Sequence, residues 1–247
     1  MKIVLVTSQI TYVPENSFDF YEELLKKNSS SIAGLFIVKN LSFGLLAKIA
    51  WLYSMRCNNI ANTLARNVLQ LPNKKIERLF AKYNTPTVKL NSVNDRKIID
   101  WIKVKQIDLV INFRARCLFK KELLEAPGLG CVNIHHGILP KYRGLFCDLY
   151  ALYDNRPAGF TIHKMEQEVD AGNIYLTKMV STGEKDYREY LSRLASEEAM
   201  ALSAFIDLVE ENNELPIGTP NISDEKIITK TPSREEVKKM LARGIIL

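Results

Sequence analysis

The chain has none of the short motifs that mark the commonest nucleotide-binding and hydrolytic enzymes. The loop after the first apolar run, residues 7–11, lacks G-x-G-x-x-G, so a nicotinamide cofactor in the usual glycine-rich cradle is not expected. A P-loop is absent, and so is the G-x-S-x-G of serine hydrolases. Whatever chemistry the chain performs must therefore depend on other residues.

Cysteine is scarce and shows no paired pattern. Cys57, Cys117, Cys131 and Cys147 form no C-x-x-C motif, which is typical of reduced thiols. No signal peptide fits the N-terminus, because its apolar run is short and no cleavage site follows. We therefore expect a cytoplasmic protein. The histidines and cysteines match no familiar zinc-ligand spacing, so we expect no metal.

No apolar run is long enough to cross a bilayer. The most hydrophobic tract, residues 41–55, is interrupted by Lys48. It holds more large apolar side chains than a one-faced surface helix needs, which favours a helix that is buried or covered by a partner. Membrane contact is accordingly not expected, with attachment to a membrane surface as the alternative. The role of residues 41–69 and a homodimeric state are left open.

Composition indicates an ordinary globular protein with one large domain, or one domain and a small appendage. The 247 residues are 47% hydrophobic and 25% charged. The net charge of +6 suits a polyanionic partner, either a nucleotide-linked substrate or nucleic acid. Because the basic residues are scattered rather than clustered, nucleic acid is not expected.

Strand and helix patterns alternate along the chain, which predicts a parallel sheet covered on both faces. Strands are predicted at residues 3–7, 32–38, 87–90, 107–113, 131–135, 160–165 and 174–180, and helices at 18–27, 76–83, 95–105, 120–125 and 187–211. After Pro216 the sequence becomes polar and turn-rich, and a capping box at Ser233 opens a short helix. We therefore expect a compact domain at 1–215 and an appendage at 216–247.

The most informative stretch is Asn133-Ile134-His135, at the end of a predicted strand. Side chains two residues apart on a strand point to the same side, so Asn133 and His135 should project together where open α/β sheets bind ligands. An amide and an imidazole side by side can stabilise an oxyanion and handle protons. A hairpin corner with a structural histidine is the alternative. His136 is expected on the opposite side of the strand, in a structural role.

Four segments in series resemble the folate-dependent formyltransferases. They are Asn-Ile-His at 133–135, Leu-Pro-Lys-Tyr-Arg-Gly at 139–144, Gly-Phe-Thr-Ile-His-Lys-Met at 159–165 and Val-Asp-Ala-Gly-Asn-Ile at 169–174. Their order and spacing match that family over about residues 70 to 210. The chain is similar to sugar N-formyltransferases and to the catalytic domain of methionyl-tRNA formyltransferase.

The resemblance implies an α/β, Rossmann-like domain with a mostly parallel, twisted sheet and helices on both faces. It implies 10-formyltetrahydrofolate as the one-carbon donor and attack by a primary amine, without a metal. Asn133 matches the family's oxyanion-binding asparagine, His135 its catalytic histidine, and Asp170 the aspartate paired with that histidine. A carboxylate beside the imidazole should raise the pKa of His135.

Further contacts are expected around these three residues. The loop 112–118 lies where the family's pterin-contacting residues fall, which gives Asn112, Arg116 and Leu118 as donor-binding candidates. Tyr142 and Arg143 are candidates for substrate contact, with a stiff loop as the alternative. His163 is expected either to line the site or to lie in the core.

The acceptor is predicted from departures from the family. The short ribonucleotide-formylating members carry a glycine-rich loop after strand one, and the initiator-tRNA formylating members carry a large C-terminal domain; neither feature is found here. We therefore expect a nucleotide-linked amino sugar, of the kind used in polysaccharide biosynthesis. Methionyl-tRNA or another small amine is the alternative. A catalytically silent Rossmann-like binding protein would have no chemical need for Asn133, His135 and Asp170 together.

Overall fold

The computed structural model describes residues 1–181 and 183–247. In this part of the chain the strands are β1 (Ile3–Ser8), β2 (Ile32–Val38), β3 (Thr87–Leu90), β4 (Leu109–Phe113), β5 (Gly130–His135), β6 (Tyr142–Gly144), β7 (Gly159–Lys164), β8 (Ile174–Met179) and β9 (Ile227–Thr229). The α-helices are α1 (Phe18–Asn28), α2 (Phe43–Ser54), α3 (Asn58–Leu69), α4 (Lys75–Lys82), α5 (Arg96–Val104), α6 (Lys121–Leu124), α7 (Cys147–Tyr153), α8 (Tyr187–Asn212) and α9 (Arg234–Ala242).

Seven strands form one sheet in the order β3-β2-β1-β4-β5-β7-β8. The first five strands of this order run parallel to one another. Strand β7 runs antiparallel to β5, and β8 runs antiparallel to β7. The predicted mostly parallel α/β sheet is confirmed. Strand order reverses between β1 and β4, and ligands of such sheets bind outside the carboxyl ends of the strands at this point.

The central strands are buried on both faces, so each strand feeds two separate cores. In β1, Ile3 and Leu5 pack in the core that α1 and α8 cover, whereas Val4 and Val6 pack in the core beneath α5. The long α8 starts where the Asp186 side chain accepts hydrogen bonds from two backbone N–H groups of its first turn. Apolar periodicity had placed this helix at 187–211, in agreement with the structure.

Residues 41–69 form two helices after β2, and only one face of the first helix is buried within the described chain. Ile49 and Leu52 of α2 are buried against the protein. The opposite face is open, and the Phe43 side chain is 91% exposed. The second apolar face of this helix is therefore not covered by any other part of the described chain, and cover by a partner stays a prediction. No helix among the described residues is long and apolar enough to cross a membrane.

Residues 216–247 contain β9 and α9. The strand pairs in parallel with β6 to make a second, two-stranded sheet, which sequence patterns did not predict. Val237, Met240 and Leu247 belong to the same core as α1 and α8. The backbone N–H of Asn59 donates to the Leu247 carbonyl at 3.1 Å. The domain boundary at residue 215 stays a prediction.

Phe113, the last residue of β4, is an aromatic anchor of the first core. Its ring stacks on that of Phe20, with centroids 3.6 Å apart, and meets the edge of Tyr21. We predict that Phe113→Ala lowers the free energy of unfolding by about 3–5 kcal/mol, because the truncation leaves a cavity. The exposed Phe43→Ala should change it by less than about 0.5 kcal/mol. Urea unfolding followed by circular dichroism tests both, and equal effects would contradict this packing.

Candidate active site

A cavity of about 810 Å³ lies at the carboxyl ends of β1, β4 and β5. Its volume is in the range of small-molecule sites. Asn133, His135, His163 and Asp170 all line it, so the three residues expected to act together do lie together. His163 was left open by the sequence, and the structure places it at the cavity although its side chain is largely buried.

The orientation of the Asn133 amide is fixed from both sides by backbone groups with only one hydrogen-bonding role. On one side the Ala115 N–H donates to Asn112 Oδ1 at 3.0 Å, so Asn112 Nδ2 is the donor to Asn133 Oδ1 at 2.9 Å. On the other side the Lys164 carbonyl accepts from His163 Nδ1 at 2.7 Å. Neutral His163 then accepts through Nε2 from Asn133 Nδ2, 3.1 Å away.

The hydrogen bonds at both ends of this series require the same orientation of the Asn133 amide. Asn133 presents its Nδ2 to the site, and one of the two Nδ2 hydrogens remains for a bound group. The amide of Asn112 is engaged at both ends, because Oδ1 accepts from Ala115 and Nδ2 donates to Asn133. Asn112 therefore borders the cavity and orients Asn133 through its hydrogen bonds, and its expected contact with the donor stays a prediction.

His135 is held by a backbone carbonyl and faces a carboxylate. Its Nε2 lies 3.0 Å from the Tyr142 carbonyl oxygen, which can only accept, so Nε2 carries a proton. Nδ1 lies 3.6 Å from Asp170 Oδ1. That separation is longer than a hydrogen bond but short enough for charge attraction.

Asp170 sits in a conformation that few residues adopt, with φ of 52°. Asn221 stabilises this turn, because its Nδ2 donates to the carbonyls of Asp170 and Gly172 at 2.9 and 3.0 Å. The Gly144 N–H donates to Asp170 Oδ2 at 3.0 Å. Asn221 was not identified from the sequence, because it lies 51 positions away in a turn without any motif.

The pair carries opposite charges over a defined pH range. Burial by itself lowers the pKa of His135, but the Asp170 carboxylate and Cys147 raise it, and the net result is above the ordinary value. Burial alone would raise the pKa of Asp170, whereas the His135 imidazole and the Gly144 N–H lower it to about 2. The expectation that Asp170 raises the pKa of His135 is confirmed.

Gly144 allows this arrangement because no other residue fits there. Its φ is 103°, and an added Cβ would lie 2.3 Å from the Thr229 carbonyl oxygen of β9. The β6–β9 pair therefore approaches closely enough to hold the backbone N–H against Asp170. The segment 216–247 thus supports the site through β9, which holds Gly144, and through Asn221, which holds the turn at Asp170.

Tyr142 and Arg143, the candidates for substrate contact, do not line the cavity with their side chains, and the contact stays a prediction. The Tyr142 side chain is buried, and its hydroxyl donates to Asp154 at 3.4 Å. The Arg143 guanidinium donates to the Asn221 carbonyl at 2.8 Å and lies 3.6 Å from Glu168. Both side chains support the loop, whose direction no periodic pattern could predict.

Arg116 and Leu118 line the cavity, where the sequence placed donor contacts. The Arg116 guanidinium stacks on the rings of Tyr12 and Phe146, 5.0 and 4.9 Å from their centroids. The Leu118 side chain is 70% exposed at the mouth. Contact between these residues and a bound donor stays a prediction.

Strand alternation had predicted that His136 points away from the cavity, and this prediction is wrong. The strand β5 ends at His135, so the alternation rule no longer applies one residue later. His136 lines the same cavity. Its Nε2 lies 2.7 Å from Glu198 Oε1, and its Nδ1 lies 3.5 Å from Asp148 Oδ2. Arg114 also pairs with Glu198, through its Nη2.

These four residues, Arg114, His136, Asp148 and Glu198, form a second polar cluster with balanced charge. Burial lowers the pKa of His136, but Glu198 raises it above the ordinary value. Burial raises the pKa of Glu198, yet Arg114 and His136 hold it below its ordinary value. The cluster contains two basic and two acidic side chains, and it connects α8 with the ends of β4 and β5.

The described part of the chain contains no cluster of metal ligands, and two of its four thiols are unreactive. No three histidine, cysteine or acidic side chains there are grouped as metal ligands. Burial raises the pKa of the Cys117 thiol to about 11 and that of Cys131 to about 12. These two thiols stay protonated at neutral pH, and thiolate is the reactive form of cysteine.

Comparison with known sequences gives a family. The sequence model of the formyl transferase family matches residues 60–206. The methionyl-tRNA formyltransferase of Thermotoga maritima is 27% identical over 178 residues, which are 67% of this chain and 56% of that protein. The chain spans about half the length of the curated methionyl-tRNA formyltransferases it matches.

Solved structures share the fold. Glycinamide ribonucleotide transformylase 1 of Symbiobacterium toebii has a TM-score of 0.62 at 18% identity, covering 91% of this chain and 94% of that one. A sugar N-formyltransferase from a Shewanella species has a TM-score of 0.58 at 20% identity, with coverages of 98% and 87%. A formyltransferase from Anoxybacillus kamchatkensis, solved with UDP-4,6-dideoxy-4-formamido-L-AltNAc and tetrahydrofolate, has a TM-score of 0.52 at 19% identity, with coverages of 70% and 88%. The expected formyltransferase fold is confirmed.

The coupled charges of His135 and Asp170 predict how pH affects stability. The raised pKa of His135 stabilises the fold below 6.5 and loses its effect as pH rises through the folded-state value. The lowered pKa of Asp170 stabilises the fold above 3.8 and loses its effect as pH falls to about 2. Asp170→Asn should therefore cost most stability between pH 3.8 and 6.5.

Urea unfolding of the wild type and of Asp170→Asn across pH measures this difference. The difference in the free energy of unfolding should become smaller at pH values at which His135 is neutral in both proteins. Asp100→Asn, on the exposed side of α5, is the control and should give a difference with little pH dependence. A constant cost for Asp170→Asn at every pH would contradict the charge coupling.

Proposed function

Because the chain belongs to the formyl transferase family, we propose that it is an N-formyltransferase that moves a formyl group to a primary amine. The family uses 10-formyltetrahydrofolate as its donor, and we propose the same donor here. The observation that supports this best is the aimed amide of Asn133 beside the charged pair of His135 and Asp170, at the wall of one cavity.

The proposed reaction passes through a tetrahedral intermediate whose former carbonyl oxygen carries negative charge. The remaining N–H of Asn133 donates to this oxyanion, and Nδ1–H of charged His135 donates a second hydrogen bond. The 3.6 Å gap to Asp170 leaves that proton available. Removing one such donor typically costs about 3 kcal/mol of barrier, or roughly 10²–10³ in rate.

Proton transfer follows from the pKa values of the pair. With a pKa of about 2, Asp170 is too weak a base to keep a proton and stays charged. His135 therefore handles the proton. Once the amine nitrogen has bonded to the formyl carbon, the tetrahedral intermediate collapses: the bond to N10 of the folate breaks, and His135 gives its proton to N10. The proton that the amine loses then returns to His135 through water.

We propose that the donor occupies the part of the cavity bordered by Arg116 and Leu118. Leu118 offers apolar surface at the mouth, and Arg116 offers a cation already supported by two aromatic rings. An apolar contact suits the pterin and a cation suits the carboxylates of the folate tail.

For the acceptor we propose a nucleotide-linked amino sugar, such as a 4-amino-4,6-dideoxyhexose on a thymidine or uridine diphosphate. The similarity to a sugar N-formyltransferase over 98% of the chain supports this, as does the net charge of +6 towards a diphosphate. The second candidate is methionyl-tRNA, because the curated relatives named above are methionyl-tRNA formyltransferases. A ribonucleotide amine is a third, from the Symbiobacterium neighbour.

We predict that His135→Asn lowers kcat by roughly 10²–10³ while folate binding persists, because the histidine is assigned to the transition state and not to the donor. Turnover is measured as tetrahydrofolate released in the presence of an amine, and donor affinity by calorimetry with a folate analogue. Circular dichroism checks that the variant is folded. A normal kcat in His135→Asn would contradict the mechanism, and failure of the wild type to bind any folate would contradict the activity.

The acceptor is decided by competition. Nucleotide-linked amino sugars and aminoacylated initiator tRNA are offered in parallel with the same donor. We predict faster formylation of the sugar, because the cavity of about 810 Å³ suits a small molecule. Glycinamide ribonucleotide is included as the third acceptor. Faster formylation of tRNA or of the ribonucleotide would overturn the sugar assignment and leave the roles of Asn133, His135 and Asp170 intact.

A further inference from the structure

The outer face of α2 is an apolar stripe with no partner in the described chain. Phe43, Leu46, Ala47, Ala50 and Tyr53 follow each other at three- and four-residue steps and are all exposed. Surface helices normally place polar side chains on this side. This set of five residues, together with Leu41 just before the helix, is called the α2 face below; Leu41 is 49% exposed.

Two exposed cations flank α2, in a segment that contains no carboxylate. Between residues 24 and 76 the chain contains no Asp or Glu, but it contains eight basic residues: Lys26, Lys27, Lys39, Lys48, Arg56, Arg66, Lys74 and Lys75. Lys39 precedes the helix and Arg56 follows it, and both are exposed. An apolar surface flanked by cations has the chemistry of a helix that lies on an anionic bilayer.

We propose that the α2 face docks on the surface of an anionic lipid bilayer, with α2 lying in the plane of the interface. The helix has 12 residues and is therefore about 18 Å long, too short to cross a bilayer. Its apolar side chains enter the boundary between head groups and acyl chains, and Lys39 and Arg56 meet the lipid phosphates.

Self-association through the same face is disfavoured by charge. A symmetric dimer sets a surface patch against its own copy. Lys39 and Arg56 would then approach basic residues of the same segment, which supplies no acidic side chain to neutralise them. A bilayer of anionic lipids provides the opposite charge.

Docking would also bring the cavity to the membrane. Asn40 exchanges two hydrogen bonds with the backbone of Ile10, which fixes the start of the helical segment to the loop after β1. Lys48 of α2 lies 5.3 and 5.9 Å from the ring centroids of Tyr12 and Phe146, which both line the cavity. The α2 face is therefore next to the mouth of the proposed active site.

The test uses the purified full chain and sedimentation with vesicles, without folate or acceptor, so its outcome is independent of the proposed function. Vesicles contain either phosphatidylcholine alone or equal parts of phosphatidylcholine and phosphatidylglycerol. We expect binding to the anionic vesicles only, weakened by added salt. Phe43→Ser with Leu46→Ser should lower the affinity by at least about tenfold. Lys39→Gln and Arg56→Gln should lower it by about fivefold each.

Ile217→Ser is the control, because Ile217 is an exposed large apolar residue, as Phe43 and Leu46 are, but lies outside the segment. It should leave vesicle binding unchanged. The chain contains two tryptophans, so in Trp101→Phe the half-buried Trp51 of α2 is the only reporter. Its emission should shift to shorter wavelength with anionic vesicles and be quenched by brominated lipids.

Three results would overturn the proposal. The first is the absence of binding to anionic vesicles by the wild-type chain. The second is binding that the Phe43 and Leu46 substitutions do not change. The third is concentration-dependent self-association, in sedimentation velocity, that these two substitutions abolish, because the face would then be an interface between copies of the chain.

Discussion

The register of three adjacent strands determines the candidate active site. Asn112 of β4 pairs with Asn133 of β5 across a parallel ladder, and Asn133 pairs with His163 of β7 across an antiparallel one. The three polar side chains therefore form one row across the sheet, with obligate backbone groups of Ala115 and Lys164 at its two ends. A slip of one residue in either ladder would turn a member of the row to the other face. The amide of Asn133 would then lose its fixed orientation.

Sequence patterns predicted the parts of this arrangement that depend on local periodicity. Seven strands and the long α8 followed from apolar spacing, and alternation on β5 put Asn133 and His135 on the same side. The same rule failed for His136, because the strand had already ended. It could not reveal that Asn112 is the orienting neighbour of Asn133, since pairing between strands depends on the whole sheet. Tyr142, Arg143 and Asn221 lie in loops, where side-chain direction follows from contacts between distant segments.

Two histidines in succession serve different electrostatic environments. His135 faces one carboxylate, Asp170, across a gap that leaves its proton exchangeable. His136 belongs to a cluster in which Arg114 and Glu198 already form a buried ion pair. Such pairs gain stability only when every charge keeps its partner. The cluster therefore connects α8 to the end of the sheet at which Asn133 and His135 lie.

The position of the α2 face follows from the topology of the sheet. In a parallel sheet the segment after each strand leaves from the carboxyl edge, and this is also the edge at which ligands bind. An insertion after β2 therefore has to emerge beside the loop after β1, which is itself next to the loop after β4. Its apolar face could have turned inwards, but Ile49 and Leu52 already occupy that side. The exposed face of the insertion and the mouth of the cavity consequently share one rim of the protein, so any surface that covers the first lies close to the second.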